Sequence, residues 1–380
     1  MNLIYLDHAA TSPMHPNALE AMMPYFTDHF GNPSSIHSYG RRTRHALDEA
    51  RLSLAQTIGA HPDELIFTSG GTEADNMAII GYALKNKAKG NHIITSTVEH
   101  HAVLHTCKSL EEEGFEVTYL PVDDKGKVSL NDLKETVRPD TILVSIMYGN
   151  NEVGTIQPIE EIGEYLYEKG IAFHTDAVQA YGTIPIDVEQ LAITFLSVSA
   201  HKINGPKGIG FLYAKKSYDL KPQLYGGEQE RKRRAGTENV ASIVGFAEAA
   251  KIAIKEAEEK MQRYLHFRER MLSIFREGEI DFSVNGHELE VLPHLLNVSF
   301  KGVNVESLLV NLDLAGIAVS SGSACTAGSI EPSHVLSAMF NSDEKAKSAV
   351  RFSFGYGNTI EDIEKAAKET VKIVKRITSL

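Results

Sequence analysis

From residue 65 to residue 214, short apolar runs alternate with longer stretches in which apolar residues recur at helical spacing. The runs are LIF at 65–67, HIITS at 92–96, ILVSIM at 142–147, IAFHT at 171–175, FLSVS at 195–199 and IGFLYA at 209–214. Each has strand length and is rich in β-branched or aromatic residues, and most intervals between them can hold a helical crossover. This alternation predicts an α/β domain built on a mixed, mostly parallel sheet flanked by helices. From Thr237 to about Glu277 the chain becomes rich in Ala, Glu and Lys, which predicts one long helix leaving that domain. Beyond about 280 come further strands, LLNVSF at 295–300, AVSSG at 318–322 and VRFSF at 350–354, and then the amphipathic EDIEKAAKETVKIVKRI. These predict a smaller α+β domain. No internal repeat or low-complexity linker intervenes, so the two domains should pack closely.

A length of 380 residues suits two or three domains and a core that needs no disulfide or metal staple. Subtracting 50 acidic from 38 basic residues leaves a net charge of −12, which argues against direct nucleic-acid binding. Only the run Arg231 to Arg234 is locally basic. Cys107 and Cys325 form neither a disulfide framework nor a CxxC knuckle and point to a reducing compartment. The start, MNLIYLDHAATSP, lacks a basic leader, and no apolar run is long enough for a bilayer. The expectation is a cytoplasmic protein without a membrane partner.

The candidate chemistry lies at strand carboxyl ends, where open α/β sheets place their ligands. The run at 65–67 leads into Thr68-Ser69-Gly70-Gly71-Thr72-Glu73-Ala74-Asp75-Asn76, a small glycine-containing turn before a helical pattern. Such a turn suits a phosphate at a helix N-terminus, and equally an ordinary capped helix after a tight turn. It is neither a Walker loop nor a GxGxxG fingerprint. Two further strands end in Asp176-Ala177-Val178-Gln179 and in Ser199-Ala200-His201-Lys202. An acid, a lysine and a phosphate nest are the parts needed to hold pyridoxal 5'-phosphate, with the lysine as Schiff-base partner and the carboxylate on the pyridine nitrogen. An ordinary lysine in a loop would be solvated, but Lys202 is set apart by its strand end, by His201 and by the Gly-Pro turn that follows.

Over nearly its whole length the sequence resembles the cysteine desulfurases, in the class V aminotransferase group of fold-type-I pyridoxal-phosphate enzymes. The resemblance rests on YLDHAAT at 5–11, GNPSSIH at 31–37, SGGTEADN at 69–76, EHHAVL at 99–104, NNEVG at 150–154, DAVQ at 176–179, SAHKINGPKG at 199–208, RAGT at 234–237, SSGSACT at 320–326 and RFSFG at 351–355, in the family's order. It implies a large domain over 15–260 and a small domain made of 1–14 and 261–380. It further implies that Lys202 bonds the cofactor, that Asp176 pairs with the pyridinium nitrogen and that Gln179 and Asn151 contact the ring oxygen. Gly71, Thr72, Ser199 and His201 would hold the phosphate, joined by Thr237 from the other subunit of a homodimer. His100, by itself more readily a capping or packing residue, would stack on the ring and shuttle protons. Arg351, with Asn32 in support, would bind the α-carboxylate of L-cysteine.

The two thiols read differently. Cys107 lies in an apolar helical pattern and is expected to be a buried small hydrophobe. Cys325 sits among ten small residues, Ser320 to Ser329, a stretch expected to be mobile and exposed and suited to a nucleophile. By resemblance it takes sulfur from cysteine, leaving L-alanine, and passes it to an acceptor protein. Relatives that feed a general iron–sulfur scaffold carry a further C-terminal tail, so a transfer-RNA-thiolation enzyme is the favoured acceptor and the scaffold the second. A pyridoxal-phosphate lyase or aminotransferase would have no use for Cys325, and a non-catalytic sulfur carrier none for Lys202. His101 and His105, at i and i+4, are spaced to share a zinc ion, but no third ligand follows at metal spacing.

Overall fold

The computed structural model describes residues 3–321, 332–341 and 345–379. Its strands are β1 (Ile4–Tyr5), β2 (Leu65–Thr68), β3 (His92–Ser96), β4 (Glu116–Leu120), β5 (Thr141–Ser145), β6 (Ala172–Asp176), β7 (Phe195–Ser199), β8 (Gly210–Ala214), β9 (Phe282–Asn285), β10 (Leu295–Phe300), β11 (Ile317–Ala318) and β12 (Ala349–Ser353). Seven form one sheet in the order β2-β8-β7-β6-β5-β3-β4. All its pairings are parallel except those of β8, which runs antiparallel to both β2 and β7. The central strands β5 to β8 are buried at every position, as expected where helices cover both faces. This is the expected mixed, mostly parallel α/β architecture.

The smaller unit contains the antiparallel sheet β12-β10-β9 and the parallel pair β1-β11. Its apolar cluster joins Ile4 and Leu6 to side chains from Tyr264 to Val374, among them Phe275, Phe300, Phe352 and Ile363. The helix Ile360–Thr378 opens with a reciprocal Thr359–Asp362 capping box and turns Ile363, Ala366, Thr370 and Val374 onto this core. Each fully buried large side chain contributes about 1.5–3 kcal/mol relative to exposure.

Three details differ from the sequence reading. The long helix expected over 237–277 is two helices, Val240–Lys255 and Ala257–Glu277, parted at Glu256 (φ −98°, ψ 1°). The first is buried along most of its length and the second on one side only, so the change of burial marks the joint. Strands β1, β4 and β9 are additional; β1 is only two residues long, and β4 and β9 are largely half-exposed, their polar residues hiding them from a search for apolar runs. In place of the strand expected at 318–322, β11 pairs only at Ile317 and Ala318, with an isolated bridge from Ser320 to Arg351. Among the described residues, no helix is long and apolar enough to cross a membrane.

Candidate active site

Loops leaving the carboxyl ends of β2, β3, β5, β6 and β7 converge on a cavity of about 480 Å³. Its walls include Gly71, Thr72, His100, Asn151, Asp176, Gln179, Ser199, His201, Lys202 and Arg351. Asn32 and Thr237 do not line it. Both are exposed, and Asn32, expected beside Arg351, instead caps its own turn by accepting from Ser34 N at 2.8 Å. Cys325 lies outside the described residues.

The phosphate turn has the features that an anion requires. The helix Gly71–Asn86 starts after Gly70, which has φ 151° and supplies no side-chain cap, and its first residues Gly71 and Thr72 share the cavity wall with Ser199 and His201. A Cβ on Gly71 would stand 2.7 Å from Val178 Cγ2, so the close approach of the turn to the loop after β6 depends on glycine. His201 Nδ1 meets Thr11 Oγ1 at 3.1 Å, and burial, helped by Lys202, lowers its pKa to about 4.

At the end of β6, Asp176 is buried and accepts from Val178 N at 2.9 Å. Burial raises its pKa to about 7, with Asp75 adding to the effect, so the carboxylate favours a cation placed against it. Behind it lies a layer of residues that the sequence reading did not include. His174 meets Ser145 Oγ at 2.8 Å, Ser197 Oγ at 3.0 Å and Asp75 Oδ1 at 3.5 Å. The available signals were positional: Asp75 is one helical turn after Gly71, and His174 shares a strand face with Asp176. Lys202 donates to the carbonyls of Ala9 at 2.5 Å and Ala10 at 2.9 Å. Gln179, expected at the ring oxygen, donates to Ala9 O at 3.0 Å and meets His294 Nε2 at 3.2 Å.

His100 caps the helix His101–Glu112, its Nδ1 accepting from Ala102 N at 3.1 Å, which leaves the proton of the neutral ring on Nε2. Burial and then Lys202 lower its pKa to about 4. Arg351 is buried; Nη1 donates to Asn151 O at 2.8 Å and Nη2 to Asp7 Oδ1 at 2.8 Å. Its buried Nε has no hydrogen-bond partner among the described residues and Nη1 and Nη2 each keep a second N–H, so the guanidinium at the cavity wall retains donors for a carboxylate. Asp7 was also missed; its signal was its place in YLDHAAT. Cys107 is fully buried in the helix after His100, and burial raises its pKa to about 12, as expected of an inert packing thiol. The locally basic run is consumed internally: Arg231 pairs with Asp63, Lys232 with Glu228 and Arg234 with Glu73, while Arg233 donates to the carbonyls of Asp63 and Leu65.

The family described as aminotransferase class-V matches residues 4–366. The chain belongs to this family. It is 60% identical over 379 residues to "Putative cysteine desulfurase IscS 1" of Bacillus subtilis strain 168, covering 100% of both chains. It is 50% identical over 380 residues to "Cysteine desulfurase IscS" of Methanosarcina thermophila, covering 99% of this chain and 93% of that one. Among solved structures, "NIFS-LIKE PROTEIN" superposes with a TM-score of 0.92 at 36% identity over 100% of both chains. "SspA in complex with cysteine" superposes with a TM-score of 0.81 at 38% identity, covering 92% of this chain and 98% of that one. Within the family the chain falls among the pyridoxal-phosphate-dependent cysteine desulfurases. The uncapped helix start at a glycine turn, the buried cation-favouring Asp176 and the amine of Lys202 fit that cofactor at its phosphate, ring nitrogen and aldehyde.

Proposed function

We propose that the protein converts L-cysteine to L-alanine while the sulfur atom passes to Cys325, and that the roles divide as follows. Pyridoxal phosphate, when bound, supplies a carbon that takes up the substrate amine and a ring that withdraws electrons from the substrate's α-carbon. Gly71, Thr72, Ser199 and His201 hold the phosphate, and Thr237 of a second copy adds its hydroxyl. Asp176 balances the positive ring nitrogen, and Gln179 and Asn151 turn toward the ring oxygen. Lys202 is the covalent anchor; once released, it removes the Cα proton. His100, a neutral imidazole at the cavity wall with its proton on Nε2, would stack against the ring and relay that proton. Arg351 binds the substrate carboxylate. The Cys325 thiolate attacks the substrate sulfur: a new S–S bond forms, the Cβ–S bond breaks, and the remaining carbon skeleton takes up a proton to leave as alanine. The persulfide then moves to an acceptor protein.

The observation that carries this reading is the convergence of Lys202, Asp176, Arg351 and the Gly71 turn on one cavity. Exposed Met23, Phe26, Phe30, Ile36 and Tyr39 support a homodimer, since they offer apolar surface within one short stretch of chain. For the acceptor, the relatives' name IscS leans toward an iron–sulfur scaffold, whereas the sequence favoured a transfer-RNA-thiolation enzyme. Competition between the two for labelled persulfide sulfur separates these readings. The function itself is tested by visible spectra and by alanine and sulfide release from cysteine. Lys202→Ala should abolish turnover; Cys325→Ser should keep the cofactor and its spectral response to cysteine but release little sulfide. Normal turnover by Lys202→Ala, or normal sulfide release by Cys325→Ser, would overturn the assignment.

A further inference from the structure

The chain supplies a third histidine that its linear spacing did not reveal. His101 and His105 lie one turn apart on the helix His101–Glu112, with ring centres 5.1 Å apart. His334, at the start of the helix His334–Phe340, brings its ring centre to 4.6 Å from that of His101. Two imidazoles on one tetrahedral ion, with nitrogen–metal distances of about 2.0–2.1 Å, have ring centres about 5 Å apart. Both observed separations are near that value.

The polar surroundings also suit a ligand. His334 Nε2 lies 2.9 Å from the carbonyl of Glu99, so this nitrogen is the donor and Nδ1 carries the lone pair. A histidine held by a backbone carbonyl at one nitrogen is the usual support for metal ligation at the other. His105 is exposed while His101 and His334 are half-buried, which gives an ion a path in from solvent. Among the described residues, the ligand atoms that already converge to within 4.8 Å belong to Asp75, His100 and Asp176 in the cofactor cavity. The second cluster lies beside that group, since the ring centres of His100 and His101 are 6.4 Å apart; with His334 held by Glu99 O, a side-chain rotation of the exposed His105 is what closes it.

We propose that His101, His105 and His334 form a site for a divalent transition-metal ion of the zinc class, separate from the cofactor cavity, with water completing the coordination. An ion there places positive charge one residue from His100 and so restrains desulfuration when metal is abundant. The inference is independent of the sulfur acceptor. Calorimetric titration of chelator-treated holoenzyme with Zn²⁺ tests it, in a Cys325→Ser background so that this thiol does not contribute. One ion per chain is expected, with His105→Ala and His334→Ala each weakening binding roughly tenfold or more. His266→Ala, which alters an exposed histidine on the helix Ala257–Glu277, should leave the affinity unchanged. With Cys325 present, Zn²⁺ should inhibit sulfide release, and His105→Ala should shift the inhibiting concentration upward by the same factor. Absence of a stoichiometric ion, or an affinity that neither His105→Ala nor His334→Ala changes, would overturn the proposal.

Discussion

Glu230→Ala should destabilise the large domain by about 3–5 kcal/mol, the usual cost of removing one partner from a buried ion pair. Glu230 is buried and accepts from Arg51 Nη1 at 2.9 Å, from Arg51 Nη2 at 2.6 Å and from Phe67 N at 3.0 Å. Phe67 belongs to β2, the edge strand of the seven-stranded sheet, and the carboxylate occupies a donor that would otherwise lack a strand partner. Its removal leaves that N–H and the Arg51 guanidinium short of acceptors, although Arg51 keeps Leu65 O at 2.9 Å. Glu230, Arg231 and Lys232 have φ of 44°, 57° and 67°. Alanine suffers the same left-handed penalty as glutamate, so backbone strain cancels from the comparison. With an unfolding entropy of about 2.1 cal/mol/K per residue, the 380-residue chain should lose about 4–6 °C in Tm. Thermal unfolding at fixed cofactor and protein concentration measures this, and Arg51→Met combined with Glu230→Ala should cost less than the sum of the two single changes. A loss below about 1 °C would show that the ion pair contributes nothing beyond a surface contact and that the reasoning is wrong.

Gly71→Ala should weaken cofactor binding about tenfold or more while the fold is kept, because its Cβ meets Val178 Cγ2 at 2.7 Å; Val178→Ala should restore much of the loss, and absorbance titration of the apoprotein reads both. Burial lowers the pKa of His8 to about 4, so its contribution to stability is complete above about pH 6.5 and is lost as pH falls from there toward 4. His8→Asn should reduce the slope of urea stability against pH between 6 and 5 by about 1.2 kcal/mol per unit, and an unchanged slope would refute the buried neutral ring. The raised pKa values of Asp75, Glu99 and Asp176 work in the opposite sense, so the whole protein should lose less stability with acid than its buried histidines alone would require.

What was legible in the sequence was local in the chain. Lys202, Asp176 and the Gly71 turn each end or follow a short apolar run, so strand recognition alone brings them to one edge of the sheet. Residues that act through long-range pairing were not legible. Asp7 finds Arg351 across most of the chain, Asp75 finds His174, and His334 finds His101, because the fold rather than the spacing sets those distances. Edge strand β4 was missed for a related reason: with one side solvated, it carries polar residues that a search for continuous apolar runs rejects.

The N-terminal segment ties the two halves of the site together. Ile4 and Leu6 are packed into the core of the smaller unit, and Ser353 N donates to Leu6 O at 2.7 Å. One residue on, Asp7 holds the guanidinium of Arg351; two further on, Ala9 N donates to Ser353 Oγ while Ala9 O accepts from both Lys202 and Gln179. Thr11 and Ser12 then engage His201, and Asn204 N donates to Ser12 Oγ. A single stretch of backbone therefore sets the position of the arginine in the small sheet relative to the lysine at the end of β7. The proposed chemistry requires this register, since one substrate must present its carboxylate to Arg351 and its α-carbon to Lys202 at once, and a small displacement between the two anchors would misalign the proton transfer.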